Sequence, residues 1–155
     1  MAVFGKTLTD YVAFARVILI VTAVIGFIRL GLSVGGAPNN IAIWFSPNAV
    51  GFFGMFYFGI RTHTSGFGTY RHVLILLAIQ ILVSQSIIAL GISITAVTGV
   101  ENIFSVPEMS IGSNHWVHAA SHLAGGPTVG AIVQWIPAST VMFATKSMIK
   151  TSSDA

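Results

Sequence analysis

The chain has 155 residues, of which 54% are hydrophobic and only 7% are charged. A soluble domain carries about 25% charged residues, so this composition excludes a soluble enzyme, and its high hydrophobicity excludes a disordered tail. The absence of cysteine excludes disulfides, thiolate metal sites and a cysteine nucleophile, and a net charge of +3 is too dispersed to form a nucleic-acid-binding patch.

Four apolar segments approach or exceed the length of about 20 residues that a helix needs to cross a bilayer. They cover residues 11–34, 41–60, 72–97 and 128–145, and glycine- and proline-containing turns separate them. No internal repeat or second domain is visible. The sequence therefore predicts an all-α integral membrane protein, a single domain over residues 1–155 that forms a four-transmembrane-helix bundle.

The distribution of basic residues predicts the orientation of these spans. With four spans, nearly all cations lie on one side of the membrane: Lys6, Arg16, Arg61, Arg71, Lys146 and Lys150. The positive-inside rule then places both termini in the cytoplasm and the loops 35–40 and 98–126 on the outer side. Arg29 is the exception, since it lies near the outer end of the first helix, where it could snorkel or pair with Glu101 or Glu108.

Two helices carry narrow stripes of polar and small residues. The stripes are Gln80, Ser84, Gly91 and Thr95 in the third helix and Thr22, Gly26, Arg29 and Ser33 in the first. Inside lipid, such a stripe is typical of a seam where helices pack together. A lining for an ion or proton path is the alternative, but no Asp or Glu lies deep within the predicted spans.

The second helix interleaves aromatic residues with glycines. Its aromatic residues are Phe45, Phe52, Phe53, Phe56, Tyr57 and Phe58, and its glycines are Gly51, Gly54 and Gly59. This pattern indicates lipid contact combined with close helix packing at the glycines. The alternative is a wall for a flat apolar ligand such as a quinone or a pigment.

The most informative segment holds His115, His118 and His122. At 100° per residue the three imidazoles share one helix face, and Ser113 or Asn114 could cap the helix. The run Gly125-Gly126-Pro127 should end it, so the sequence predicts a short outer interfacial helix, about 114–124, on the membrane surface before the fourth span.

Three histidines on one face form a candidate metal site. Neutral imidazole binds zinc or copper, but positions i and i+7 are about 10 Å apart along a helix, so one ion cannot easily take all three. His118 and His122, at i and i+4, are the best pair, with His115 completing or orienting the site. The same face could instead present one imidazole to a heme- or chlorophyll-type pigment. Interfacial packing and pH sensing are the open alternatives.

His63 and His72 flank the predicted cytoplasmic loop between the second and third helices. Their rings could meet over this loop and bind a heme or a quinone. The competing interpretation is that the loop, with Arg61 and Arg71, only contacts lipid headgroups.

Together these features predict a small subunit of a larger membrane complex, redox or light-driven, whose outer histidines bind a metal (Cu or Zn) or a tetrapyrrole. Its expected partners are the lipid bilayer and either further copies of this chain or other membrane subunits. Nucleic acid is not expected as a partner. The alternatives are an oligomeric transporter or channel and a small metal-dependent membrane enzyme. Whether the chain is an enzyme stays open, although no carboxylate base accompanies the histidines.

Overall fold

The computed structural model describes residues 2–106 and 114–153. Its elements in chain order are β1 (Ala2–Val3), β2 (Lys6–Thr7), α1 (Leu8–Val34), α2 (Asn39–Ala42), α3 (Pro47–Thr64), α4 (Tyr70–Thr98), α5 (His115–Gly125), a π-helical turn (Gly126–Gly130) and α6 (Ala131–Ser153). Four helical segments are long and apolar enough to cross a membrane: Leu8–Val34, Asn39–Thr64, Tyr70–Thr98 and His115–Lys150. The expected number of such helices, four, is therefore confirmed.

Local signals in the sequence set the ends of these helices. Thr7 and Asp10 form a capping box at the start of α1, where the Thr7 amide donates to the Asp10 carboxylate at 2.7 Å. Pro47 occupies the first turn of α3, where its missing amide hydrogen costs nothing. Gly99 ends α4 in the left-handed conformation, with φ of 71°. The Asn114 side chain caps α5, as the sequence predicts.

Helix α4 lies at the centre of the bundle and contacts α1, α3, α5 and α6. The polar stripes of α1 and α4 face protein, because all eight of their residues are buried. The amide of Gln80 donates to the Thr22 hydroxyl at 3.5 Å, and both side chains are buried. The predicted helix seam is thus confirmed. On α3, Phe52, Phe53 and Phe56 are exposed on the outside of the bundle, whereas its three glycines face neighbouring helices.

The predicted short helix of about 114–124 forms as α5, but the predicted break at Gly125-Gly126-Pro127 is wrong. Helix α5 continues through the π-helical turn into α6, and the whole segment from His115 to Lys150 is one candidate span. The π turn accommodates Pro127, which cannot donate an amide hydrogen bond. As a result α5 does not form a separate surface helix: it packs along α4, and His122 lies beside Gln85 in the central turns of α4.

The segment after α4 folds back into the end of the bundle. Ile103 and Phe104 are buried in an apolar cluster with Leu30 and Ile92. The Asn102 amide donates to the Gly91 carbonyl at 2.6 Å and to the Thr95 hydroxyl at 2.9 Å. The sequence predicts only an outer loop over these residues, so this re-entrant segment, residues 100–106, is a structural feature that the pattern did not reveal.

Candidate functional site

The structure brings His118 and His122 together inside the bundle. Their Nε2 atoms are 3.1 Å apart, and their ring centroids are 4.9 Å apart. His118 is 1% exposed, and its Nδ1 is buried without a hydrogen-bond partner. The i, i+4 spacing on α5 places both rings on the same face of the helix, and packing against α4 then fixes them. The result is a pair of imidazoles, His118 buried and His122 partly buried, whose Nε2 atoms face each other.

Gln85 of α4 orients this pair. Its side-chain oxygen contacts His122 Nδ1. An amide oxygen can only accept, so with this contact a neutral His122 carries its hydrogen on Nδ1 and its lone pair on Nε2, the nitrogen nearest His118. Without a ligand, His118 Nε2 then donates its hydrogen to His122 Nε2. The same arrangement leaves His122 Nε2 available to a metal ion.

His115 does not join this pair in the structure. It is partly exposed one turn before His118, and no contact places its ring nitrogens with those of the other two histidines. Among the described residues, no group of three His, Cys, Asp or Glu side chains is placed to hold one metal ion. The structure therefore offers two converging imidazoles rather than the three that share one face in the sequence.

A cavity of about 90 Å³ adjoins the histidine pair. Its lining includes Arg29, Asn48, Gln85, Phe104 and His122. Arg29 is 9% exposed, and its guanidinium lies over the Phe104 ring at 5.2 Å. Its Nε atom has no hydrogen-bond partner. Arg29 thus neither snorkels to a surface nor pairs with Glu101, which is exposed; Glu108 lies outside the described residues.

A second polar cavity, of about 60 Å³, shares Asn48 and Gln85 with the first. Three further polar side chains line it: Gln80, Ser84 and Gln134. The Gln80 and Gln134 side-chain oxygens and the Ser84 hydroxyl are buried and lack partners. Buried polar groups normally have partners, so these atoms identify the central seam as a place for water or a polar ligand.

His72 serves the fold rather than this site. Its Nδ1 accepts a hydrogen bond from the Thr69 amide at 3.0 Å, and its Nε2 donates to the Phe4 carbonyl at 3.2 Å. Both ring nitrogens are therefore occupied within the chain, and the ring ties the β1–β2 hairpin to α4. His63 is partly buried at the end of α3, and no ring contact joins it to His72. The structure does not assemble the predicted site of His63 and His72.

Sequence reasoning missed two residues of the site. Gln85 lies off the polar stripe of its helix, and Asn48 lies in the first turn of α3, where it reads as an ordinary helix-start residue. The only signal in the sequence for Gln85 was that it is a second glutamine in the same helix, beside the polar stripe that contains Gln80.

Comparison of the chain with known protein families, with curated proteins and with solved structures finds no match.

Proposed function

We propose that the chain is an integral membrane protein that binds a transition-metal ion, Cu or Zn, between His118 and His122. The observation that carries this proposal is the convergence of the two Nε2 atoms at 3.1 Å inside the bundle. Two nitrogen ligands at 2.0–2.1 Å from a tetrahedral metal ion lie about 3.3–3.4 Å apart. A shift of a few tenths of an ångström, together with transfer of the His118 ring hydrogen from Nε2 to Nδ1, would therefore open the pair to an ion.

The contact with Gln85 further supports a metal site. Metal-binding histidines almost always donate their second ring N–H to an oxygen, which fixes the tautomer and the ring orientation. Gln85 provides such an oxygen to His122 Nδ1. The competing explanation is that the two neutral imidazoles only form a structural hydrogen bond with each other. In that case the pair would bind no metal ion.

The space beside the pair favours an ion over a pigment. A cavity of about 90 Å³ holds an ion with a few waters, whereas pockets for drug-sized ligands have volumes of about 300–1,000 Å³. A tetrapyrrole requires a pocket volume at least within this range. We therefore prefer a metal ion to the heme- or chlorophyll-type ligand that the sequence also admits.

Two protein ligands leave coordination positions open. Water, His115 after a rearrangement, or a neighbouring chain could fill them. This incompleteness supports a role as a small subunit of a larger membrane assembly or as a homo-oligomer.

A transporter is the second candidate function, because the two polar cavities adjoin along the seam. However, an apolar cluster that includes Tyr11, Phe58 and Leu76 occupies the bundle toward the start of α4, which favours a closed site over a path.

The decisive experiment measures metal content. The full chain, purified in mild detergent, is loaded with Cu or Zn, freed of excess metal and assayed by elemental analysis. We expect about one equivalent in the wild type, none in the double variant His118→Ala/His122→Ala, and unchanged loading in His63→Ala, the matched histidine control. Equal metal content in the wild type and the double variant would refute the site. A Soret band in native material would instead favour the pigment.

The orientation is a separate proposal that rests on the alternating basic residues. A reporter fused after Lys150 should be found in the cytoplasm, and one inserted near Glu108 should be found outside. The reverse result at either position would refute the proposed orientation.

A further inference from the structure

A buried cation, Arg29, lies next to the histidine pair, and the residues that the structure describes supply no counter-ion to it. The Arg29 side chain is about nine-tenths buried, and its Nε atom has no hydrogen-bond partner among the described residues. Burying an unpaired charge is costly, and the contact with the Phe104 ring offsets only part of that cost. An arginine in this setting needs a negative partner.

The cavity beside Arg29 presents hydrogen-bond donors. Because the Gln85 oxygen is used by His122, its amide N–H groups are left to the two cavities that it lines. Asn48, which is exposed, adds a side-chain amide where the cavity meets the surface of the bundle. The two nitrogens of His122 are engaged by Gln85 and His118, so His122 contributes no free acceptor. The polar groups that reach the cavity therefore favour a ligand that accepts hydrogen bonds.

We propose that this cavity binds a small monovalent anion, such as chloride or formate, through Arg29, Gln85 and Asn48. A cavity of about 90 Å³ exceeds the roughly 10–15 Å³ that one water requires, so it has room for an ion of this size and for water. The proposal does not require a bound metal ion, since its charge partner is Arg29, although the two sites share Gln85.

The test uses the full chain in detergent micelles, with a metal chelator present throughout. Sodium gluconate is replaced stepwise by chloride or by formate at constant ionic strength, and the thermal unfolding midpoint is recorded. A ligand that binds only the folded state raises the folded-to-unfolded ratio about tenfold when its concentration is about nine times Kd. We expect a saturable rise in the wild type, its loss in Arg29→Gln, and its retention in Arg16→Gln, the exposed arginine of the same helix. No saturable rise in the wild type, or the same rise in Arg29→Gln, would overturn the proposal.

Two further variants keep the test informative if Arg29→Gln fails to fold. Asn48→Asp places a carboxylate at the cavity and should abolish the anion response while the protein stays folded; an unchanged response would overturn the proposal. Glu108→Gln tests the acidic residue that lies outside the described residues. A response that appears only in Glu108→Gln would identify Glu108 as the counter-ion of Arg29 and overturn the proposal, whereas an unchanged response supports it.

Discussion

Replacing Gly59 by alanine should destabilise the bundle, whereas the same replacement at Gly31 should not. A Cβ atom built on Gly59 lies 2.6 Å from the backbone oxygen of Ala138 and 3.2 Å from Cβ of Val141. Helices α3 and α6 therefore touch at this point with no space between their backbones. A Cβ atom on Gly31, which is exposed near the end of α1, meets nothing within 4 Å.

The size of the effect follows from these distances. Ordinary van der Waals contact begins at 3.4 Å, so the new methyl group at Gly59 would be about 0.8 Å too close to a backbone oxygen that cannot rotate away. Overpacking of this kind costs about 1–3 kcal/mol, or about a 5- to 150-fold fall in the folded-to-unfolded ratio. At Gly31 the better helix propensity of alanine should be neutral or stabilising, by up to about 1 kcal/mol.

The assay is equilibrium unfolding of the full chain in mixed micelles with increasing SDS, followed by tryptophan fluorescence. We expect a lower transition midpoint for Gly59→Ala and an unchanged or higher midpoint for Gly31→Ala. Wild-type stability of Gly59→Ala, or an equal loss in both variants, would refute the close approach of α3 and α6.

Three further predictions concern the site and its supports. Gln85→Leu should weaken metal binding about 10- to 100-fold without abolishing it, whereas Gln85→Glu, which keeps an oxygen acceptor, should not; equal affinities measured by metal titration would contradict the orienting role. Asn102→Ala removes three side-chain hydrogen bonds and should cost roughly 1.5–4.5 kcal/mol in the mixed-micelle assay, and a loss under about 0.5 kcal/mol would show that the re-entrant segment is not held by this residue. His72→Phe should speed trypsin cleavage after Lys6 up to about tenfold, because the hydrogen bond from His72 Nε2 to the Phe4 carbonyl, which holds the β1–β2 hairpin against α4, is lost, while His63→Phe should leave the cleavage rate unchanged.

The sequence was sufficient to predict the number of apolar helices and the buried stripes. Both depend on local properties, namely apolar length and the 100° helical period. The neighbouring pair of His118 and His122 follows from the same period. Gln85 did not follow from it, because α4 lies at the centre of the bundle and is buried on more than one face. A residue off the main stripe can then still face protein, and only tertiary structure shows which one does.

The predicted end of α5 failed for a different physical reason. Gly-Gly-Pro ends a helix in water, where the freed backbone groups bind solvent. In an apolar environment those groups have no such partner, so a helix tends to continue by a local change of pitch. Here the π-helical turn Gly126–Gly130 makes that change. Continuation of the helix is also what carries the two histidines along α4 to Gln85.

The re-entrant segment also fixes how α1 and α4 are aligned along their axes. The seam between α1 and α4 repeats small and polar side chains at successive turns, so a slip of one turn, about 5.4 Å, would meet similar partners. The segment binds both helices at once, since Asn102 bonds to Gly91 and the Ile103 amide donates to the Ser33 hydroxyl at 2.7 Å. Neither bond survives such a slip. Two residues of this short segment, Asn102 and Ile103, thereby select the alignment in which Arg29 lies level with the histidine pair.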